Sequence, residues 1–534
     1  MKEHTEDTER ASDITLTRED EELERLGYKH ELRREFRSWS TISFATSIQG
    51  CVATIASTIN TPLLLGGPAT TIWAWFFGSF GGTALAISVA ELISAYPTAG
   101  GIYTSSAFVI PARLRPVVCW IIGWITLISQ LATTASVNFA TAEMILAAVV
   151  IGTDGAYVPT PGQTIAVYVG LNFAIGIFDS LPTKWLHKTA QVYAIFNGLG
   201  TIIVTLAVPI AAARAGTINP SNWVWGSIID QTGYSNRPFA FFLGILSVAW
   251  VLTDYDGTAH LSEEIKNAST VAPVAIMWAV GLTTFFGFWL NVALMYGAGD
   301  FTALPGPTGM AFAQILWNNL GTVGTMVIWI IVIIVELLTG VVCQLACIRS
   351  IYALSRDRLL PDFQLLARVS PLTKTPINAS IFTAVIASLL GLLYLGSPVA
   401  INAVFSVTAV GLDVTYAIPT AFRLLATHFP SWEVHYQPGP FSLGRWSYWI
   451  CAYAVVWTAF EAGILVMPQV YPVNAQTMNY AGPILGFVIA ASFVWYLLRA
   501  RKWYIGPAGG AVGEAGGRVP RTDSETTDAN MKKE

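Results

Sequence analysis

Charged side chains are scarce in this chain: Asp, Glu, Lys and Arg make up 12% of its 534 residues, against 54% apolar residues. A formal net charge of −4 with only 29 Lys and Arg leaves no basic surface for a polyanion, so no nucleic-acid partner is expected. Cysteine is also rare. The five, Cys51, Cys119, Cys343, Cys347 and Cys451, all fall in long apolar runs, which argues against a disulfide framework or a thiolate metal site and leaves them as small core hydrophobes. There is no Walker sequence for ATP, no GxSxG elbow and no His or Cys cluster at metal-ligand spacing. A primary pump is therefore excluded, the chain is not expected to be an enzyme, and no metal and no cofactor is implied. The opening 38 residues contain no apolar stretch of signal-peptide length, so the first apolar run is itself the insertion signal.

What the chain has in abundance is long apolar blocks. A helix needs about 20 mostly apolar residues to cross roughly 30 Å of hydrocarbon, and blocks of that kind lie at 41–65, 69–95, 117–150, 164–182, 190–212, 238–263, 272–297, 323–348, 377–395, 400–424, 446–467 and 480–499. These predict an all-α, multi-pass membrane protein of twelve transmembrane helices whose surroundings are the lipid bilayer. With the N-terminus in the cytosol, every Lys and Arg except Arg214 and Arg237 falls on the cytosolic side. That asymmetry supports an even number of spans and both termini cytosolic. Residues 1–38 and 501–534 are too polar to fold alone and read as disordered cytosolic tails around a transporter domain at 39–500.

The sixth block contains its own contradiction, because PFAFFLGILSVA runs into WVLTDYDGTAHLSEEIKNAST. Phe239 to Thr253 is 15 residues, about 22 Å of helix and too short to cross. Completing the span carries it through Gly257 and His260 and places Asp254 and Asp256 inside the membrane, toward its inner half. An ionisable side chain there costs about 2.5–3.5 kcal/mol unless broken backbone, a partner or a watery cavity receives it. A helix unwound at TDYDG, with Gly257 taking the unusual backbone angles, supplies such a place. The first block holds its most polar side chain beside a glycine, at Ser47-Ile48-Gln49-Gly50-Cys51, and is the natural place for a matching break. A small-residue packing face is the alternative for this helix, and it explains Ala53, Ala56 and Ser57 better than it explains Gln49.

Other polar residues within spans divide between function and packing. Gln130 and Asn138 are eight apart on the third block and share a face, which fits either a cavity lining or interhelical hydrogen bonds. Glu336 sits mid-span with no basic neighbour and is a candidate proton carrier, as are Asp254 and Asp256; Asp413 and Glu143 are weaker candidates. Glu263, Glu264, Arg349, Arg356, Asp357 and Arg358 lie at helix ends, where they can pair as gate or scaffold contacts. Tyr96 to Gly101 is a turn by its chemistry. His260 is the best placed of the six histidines, although a lone intramembrane histidine is more often a hydrogen-bonded structural residue.

The order of spans, together with AELISAYPTAGGIYTSSAF, AHLSEEIKNASTVAPVAI and RSIYALSRDRLLPDFQLLARVSPLTKTPINASI, resembles the amino acid-polyamine-organocation superfamily, and within it the fungal amino-acid/choline permeases, which include transporters of 4-aminobutyrate and choline. The resemblance runs from about residue 39 to 500. It implies a LeuT-like inverted five-helix repeat, with repeat one at 41–212 and repeat two at 238–424, and two further helices at 446–499. It also implies a substrate held near the midplane between the broken first and sixth helices. Carried over by position, Ser47, Ile48, Gln49, Gly50 and Cys51 meet one end of the substrate, and Thr253, Asp254, Tyr255 and Asp256 line the other side. Members of the family often have Gly-Tyr-Asp where this chain has Asp254-Tyr255-Asp256. The additional acid favours a cationic or amine-bearing substrate.

The expected function is secondary active transport of an amino acid or related small-molecule amine, imported with protons by alternating access, at the plasma membrane in preference to the vacuolar or another internal membrane. Two alternatives remain open at this point. One is an exporter or organellar carrier of a cationic metabolite, and the other, of a different class, is a non-transporting nutrient receptor or a channel.

Overall fold

The computed structural model describes residues 18–28, 32, 34–396, 398–432, 434 and 436–507. Residues 1–17 and 508–534, which make up most of the expected tails, lie outside the described residues. The regular structure that is described is helical, and the one β-bridge joins Phe36 to Ile265. Among the described residues, ten helices are long and apolar enough to cross a membrane. The two stretches that fall short as continuous helices, Ser38–Thr58 and Arg237–His260, are the ones whose sequences implied a break.

Proline and polar caps start several of these helices. Thr160 accepts from the Gln163 amide while Gln163 Oε1 accepts from the Thr160 amide, closing a reciprocal cap ahead of Pro161–Asp179. Asn236 Oδ1 accepts from the Phe239 amide at 3.1 Å and opens Arg237–Leu243, with Pro238 in the first turn. The helix Asn60–Ala95 is two helices joined at a kink at Gly67 (φ 80°, ψ −174°), next to Pro68, so the first and second apolar blocks separate there. Ala311–Arg356 has a similar kink at Gly321.

Arg115–Gly152 and Ala311–Arg356 form the interior of the bundle. Lipid-facing helices gain little from burying apolar surface, because lipid tails are as apolar as leucine, so close packing and buried hydrogen bonds hold them together. Trp329 Nε1 donates to the Met144 carbonyl at 3.0 Å and ties these two helices together. Trp120 Nε1 donates to the Ser492 carbonyl at 2.9 Å and fixes the last helix, Ala481–Leu498. Phe487, Leu498, Val456 and Trp449 stand at 67–73% exposed, an exposure that suits hydrocarbon and not water. Taken with the candidate spans, this makes the protein an integral, multi-pass membrane protein.

Part of the segment expected to be a disordered tail is ordered. Arg18–Arg25 is helical. The Tyr28 hydroxyl donates to Asp357 Oδ2 at 3.0 Å, and the Phe36 amide and carbonyl bond the Glu264 carbonyl and the Lys266 amide, each at 3.1 Å. The reason lies in partners more than 200 residues away, which local composition does not register. Burial and the adjacent Asp357 push the Tyr28 phenol well above its usual range, so it remains a donor.

The helix Asn60–Ala95 ends near a buried carboxylate that gathers a distant loop. Glu91 accepts from Arg423 Nη1 (3.0 Å), the Leu443 amide (2.8 Å), Ser442 Oγ (3.2 Å) and Ser447 Oγ (2.5 Å). Replacing Glu91 with Ala removes an acceptor from all of these donors and is expected to cost about 3 kcal/mol. The measurement is the unfolding midpoint in detergent, and Glu91→Gln should lie between Glu91→Ala and the unaltered chain.

Candidate functional site

The first interruption lies between Ser38–Gln49 and Cys51–Thr58, at Gly50 (φ 47°, ψ 33°). This left-handed geometry suits a residue without a Cβ, and a Cβ at Gly50 would also come within 2.4 Å of Thr339 Oγ1. The break leaves carbonyls that neighbouring side chains collect. Thr339 Oγ1 donates to the Ser47 carbonyl at 3.2 Å and Thr54 Oγ1 to the Gln49 carbonyl at 2.6 Å, while Asn197 Nδ2 adds a second bond, at 3.4 Å, to the Thr46 carbonyl, which already accepts from the Gly50 amide. The Tyr193 hydroxyl is hydrogen-bonded to the same Thr339. The Ser47 hydroxyl, expected to face a substrate, donates instead to the Ser43 carbonyl within its own helix at 2.6 Å. Both amide atoms of the buried Gln49 are without partners, and Cys51 Sγ lies 4.0 Å from the Thr283 carbonyl.

The second interruption follows Ile245–Val251. Leu252 to Asp256 are irregular, and the single turn Gly257–His260 resumes the helix. The expectation that Gly257 carries the unusual angles is corrected here: Asp254 takes the left-handed conformation, with φ 56°, and Gly257 does not. Aspartate is one of the few non-glycine residues that visit this region. Gly257 serves close approach, because a Cβ there would lie 2.5 Å from Ile48 Cδ1. The two breaks therefore touch at Ile48 and Gly257.

The acids at the second break are held apart by separate partners. Gln130 Nε2 donates to Asp254 Oδ1 at 2.7 Å, and Asp254 Oδ2 is unpaired. Thr253 Oγ1 donates to Asp413 Oδ1 at 3.1 Å, and Asp413 interacts in turn with Glu461. The Tyr416 hydroxyl donates to Asp256 Oδ1. Asp256 Oδ2 lies 3.5 Å from His260 Nε2, while His260 Nδ1 donates to the Ala99 carbonyl at 2.9 Å. A carbonyl only accepts, so Nδ1 carries a hydrogen, and a proton must then lie on Nε2 or on Asp256 Oδ2 for that contact to be attractive. The Tyr255 ring packs on Tyr416 at 5.2 Å, with its hydroxyl unpaired. Among the described residues no Lys or Arg pairs with Asp254, Asp256 or Asp413.

At the end of the bundle away from the termini, a cavity of ≈ 180 Å³ lies between Ser57, Glu143, Trp250, Asn402 and Phe405. Trp250 and Phe405, with ring centres 5.3 Å apart, form part of its wall, and Trp250 is four residues before Asp254. The end that carries the termini is closed in layers. Arg356 donates through both Nη atoms to Glu263, at 3.0 and 3.2 Å, and its guanidinium lies 4.1 Å from the Tyr28 ring centre. Arg349 Nε bonds Glu264 at 2.6 Å. The Ala99 amide donates to Glu263 at 3.1 Å, so the turn read as purely structural is clamped onto the broken helix.

The structure thus brings Gln130 to Asp254 but takes Asn138 elsewhere, to Asn172 (2.8 Å) and Gln344 (3.2 Å), in a purely interhelical set. Glu336 is fully buried with both oxygens unpaired, three residues before Thr339. Tyr416, Tyr193, Thr339 and Glu461 were missed in the sequence reading. Their spacing held a signal: Tyr416 follows Asp413 by three residues and Thr339 follows Glu336 by three, which places each pair on one helical face. The His260 pairing was signalled in the same way by its distance of four residues from Asp256.

Because Asp254 holds the left-handed geometry, Asp254→Ala should be about 1 kcal/mol less stable than Asp254→Gly, although both remove the same carboxylate. Paired thermal unfolding curves in detergent test this, and equal midpoints would refute it.

Comparison with known proteins adds a second line of observation. The family described as amino acid permease matches residues 36–490. An uncharacterised amino-acid permease of Schizosaccharomyces pombe is 40% identical over 491 residues, covering 92% of this chain and 89% of its own. Amino-acid permease 2 of Neurospora crassa is 36% identical over 489 residues, covering 91% and 89%. Amino-acid permease BAT1 of Arabidopsis thaliana is 31% identical over 500 residues, covering 91% and 95%.

Proposed function

Because the chain belongs to the amino acid permease family, and is by that membership a transporter and not an enzyme, we propose that it imports a small amine-bearing amino acid or close analogue with protons, by alternating access. The observation that carries this reading is the contact of two broken helices at Ile48 and Gly257, with Gln49, Asp254 Oδ2 and the Tyr255 hydroxyl buried and unpaired beside it. Buried polar atoms without partners are costly, and a ligand that bonds them repays that cost. In this reading the Ser38–Thr58 and Arg237–His260 stretches are the first and sixth of twelve spans. Spans one to five and six to ten are inverted repeats, and both termini face the cytosol at the plasma membrane.

Charge sets the substrate class. Three aspartates lie at or next to the second break, and His260 pairs with one of them, Asp256. A cationic nitrogen at Asp254 supplies the positive charge that the protein does not. Choline, 4-aminobutyrate and ordinary α-amino acids all carry such a nitrogen. Gln49 and the first break then meet the other end of the substrate.

Two groups fit proton coupling. Glu336 is isolated on the helix whose Thr339 caps the first break. The contact between Asp256 and His260 needs a proton in order to hold. Protonation at either place removes an unpaired buried charge and favours the movement that carries the loaded site across. The cavity beside Trp250 is the route in, and the closed layers of Glu263, Arg356, Glu264 and Arg349 lie on the route out.

A panel of amino acids and amines taken up by a permease-deficient host identifies the substrate. For that substrate, Asp254→Asn is expected to raise KM about tenfold or more, the cost of losing one charge-assisted contact. Asp256→Asn and Glu336→Gln should blunt the response of vesicle uptake to an imposed pH gradient. Uptake that ignores the gradient in the unaltered protein removes the proton from the mechanism.

A further inference from the structure

The cavity of ≈ 180 Å³ at the end away from the termini is lined by polar side chains in two different conditions. Three of them are engaged within the protein. Ser57 Oγ donates to the Thr54 carbonyl at 2.9 Å, and Thr58 Oγ1 donates to the same carbonyl at 2.8 Å. Asn60 pins the rim, donating to the Gly309 carbonyl (2.9 Å) and accepting from the Ala311 amide (2.8 Å). Glu143 lines the same cavity and is partly exposed, yet among the described residues its carboxylate makes neither a hydrogen bond nor an ion pair. It is the cavity's one acidic side chain.

Aromatic rings from three helices complete this wall. Phe139 precedes Glu143 by four residues on Arg115–Gly152, so the two share a helical face. Trp250 and Phe405 belong to Ile245–Val251 and Pro398–Ala426, and all three rings line the cavity. Trp250 is 5% exposed, and its buried Nε1 has no partner. A carboxylate among ring faces suits a substituted ammonium ion: the carboxylate meets the charge, and the rings take the carbon-bearing surface of the cation. The unpaired indole N–H leaves a donor for an acceptor elsewhere on the same ligand. A bare divalent cation matches less well, because it takes about six to eight oxygen ligands, and no group of three His, Cys, Asp or Glu occurs among the described residues.

We propose that this cavity is a binding site in its own right, an outer seat where Glu143 holds the ammonium group of a small organic cation against Phe139, Trp250 and Phe405. Trp250 lies four residues before Asp254, so the outer seat and the second break are neighbours along one segment of chain. A cation gathered at Glu143 is concentrated beside the entrance to the next carboxylate, while an anion is repelled at the rim. Charge is therefore selected twice, first at Glu143 and then at Asp254. The inference rests on the reading of the chain as an amine transporter entered through this cavity.

Protection of an introduced thiol tests it. The five native cysteines are buried, and Asn402 lines the cavity and is exposed, so Asn402→Cys places one accessible thiol there. Full-length protein with this substitution, in lipid nanodiscs, is treated with N-ethylmaleimide in the presence or absence of choline, and modification at position 402 is followed by mass spectrometry. Choline should slow labelling about fivefold, whereas its carbon isostere, of the same shape without the charge, should leave the rate within about twofold. Glu143→Gln added to the reporter should abolish the protection. Asp254→Asn should leave it intact, because the outer seat does not use that carboxylate. Protection that survives Glu143→Gln, disappears with Asp254→Asn, or is never seen overturns the proposal, and Glu143 is then a hydrated wall residue. Should Glu143→Gln fail to accumulate, equal protection by choline and the isostere overturns it with the carboxylate unaltered. Uptake measured in parallel separates the two readings. Glu143-dependent protection in a protein that takes up no amine keeps the outer seat and removes the transport assignment, and Asp254-dependent uptake without protection does the reverse.

Discussion

A peptide carbonyl that loses its helical partner inside hydrocarbon has no water to turn to, and an unmet backbone group there costs several kcal/mol. The middle of this protein is arranged around that constraint. The carbonyls freed near Gly50 are taken by Thr339 and Thr54, and Asn197 adds a second bond to the Thr46 carbonyl, so the side chains come from two other helices as well as from the broken one. The helices Ala311–Arg356 and Thr183–Ala215 must therefore stand against the first break, and that same placement brings Glu336 and Tyr193 to it. The second break is handled with less: one left-handed aspartate and the short-range bonds from the Gly257 and Ala259 amides to the Asp254 and Asp256 carbonyls. The Gln49 side-chain amide, Asp254 Oδ2 and the Tyr255 hydroxyl are left without partners beside the two breaks.

Charge in the protein is sorted by depth. At the breaks the acids have amide, hydroxyl and imidazole partners, whereas at the end carrying the termini the acids have arginines. An arginine beside Asp254 would cancel the attraction on which an amine substrate depends. Arg349 and Arg356 instead hold their carboxylates through directional, charge-assisted bonds.

Much of this was legible in the sequence, for reasons that also explain the rest. Scarce charge and apolar blocks of about 20 residues leave little besides a helical membrane protein. The break at TDYDG followed from length alone, since 15 residues cannot cross. Gln130 and Asn138 could not be told apart, because a shared helical face does not say which neighbour lies opposite each residue. The left-handed residue was misassigned to Gly257 because both Asp and Gly tolerate that geometry, and only the proximity of Ile48 shows what the glycine is for. Tyr28 was not legible as an interior residue, since its partner lies far along the chain and a local window reads it as part of a solvated tail.

The segment that leads into the bundle has a further mechanical consequence. Phe36 is bonded at its amide and carbonyl to Glu264 and Lys266, just beyond the second broken helix, and two residues later the first broken helix begins at Ser38. Two half-helices from distant parts of the chain are thereby coupled through a covalent link too short to store slack. A displacement of either half-helix therefore pulls on the two bonds at Phe36 and is passed to the other.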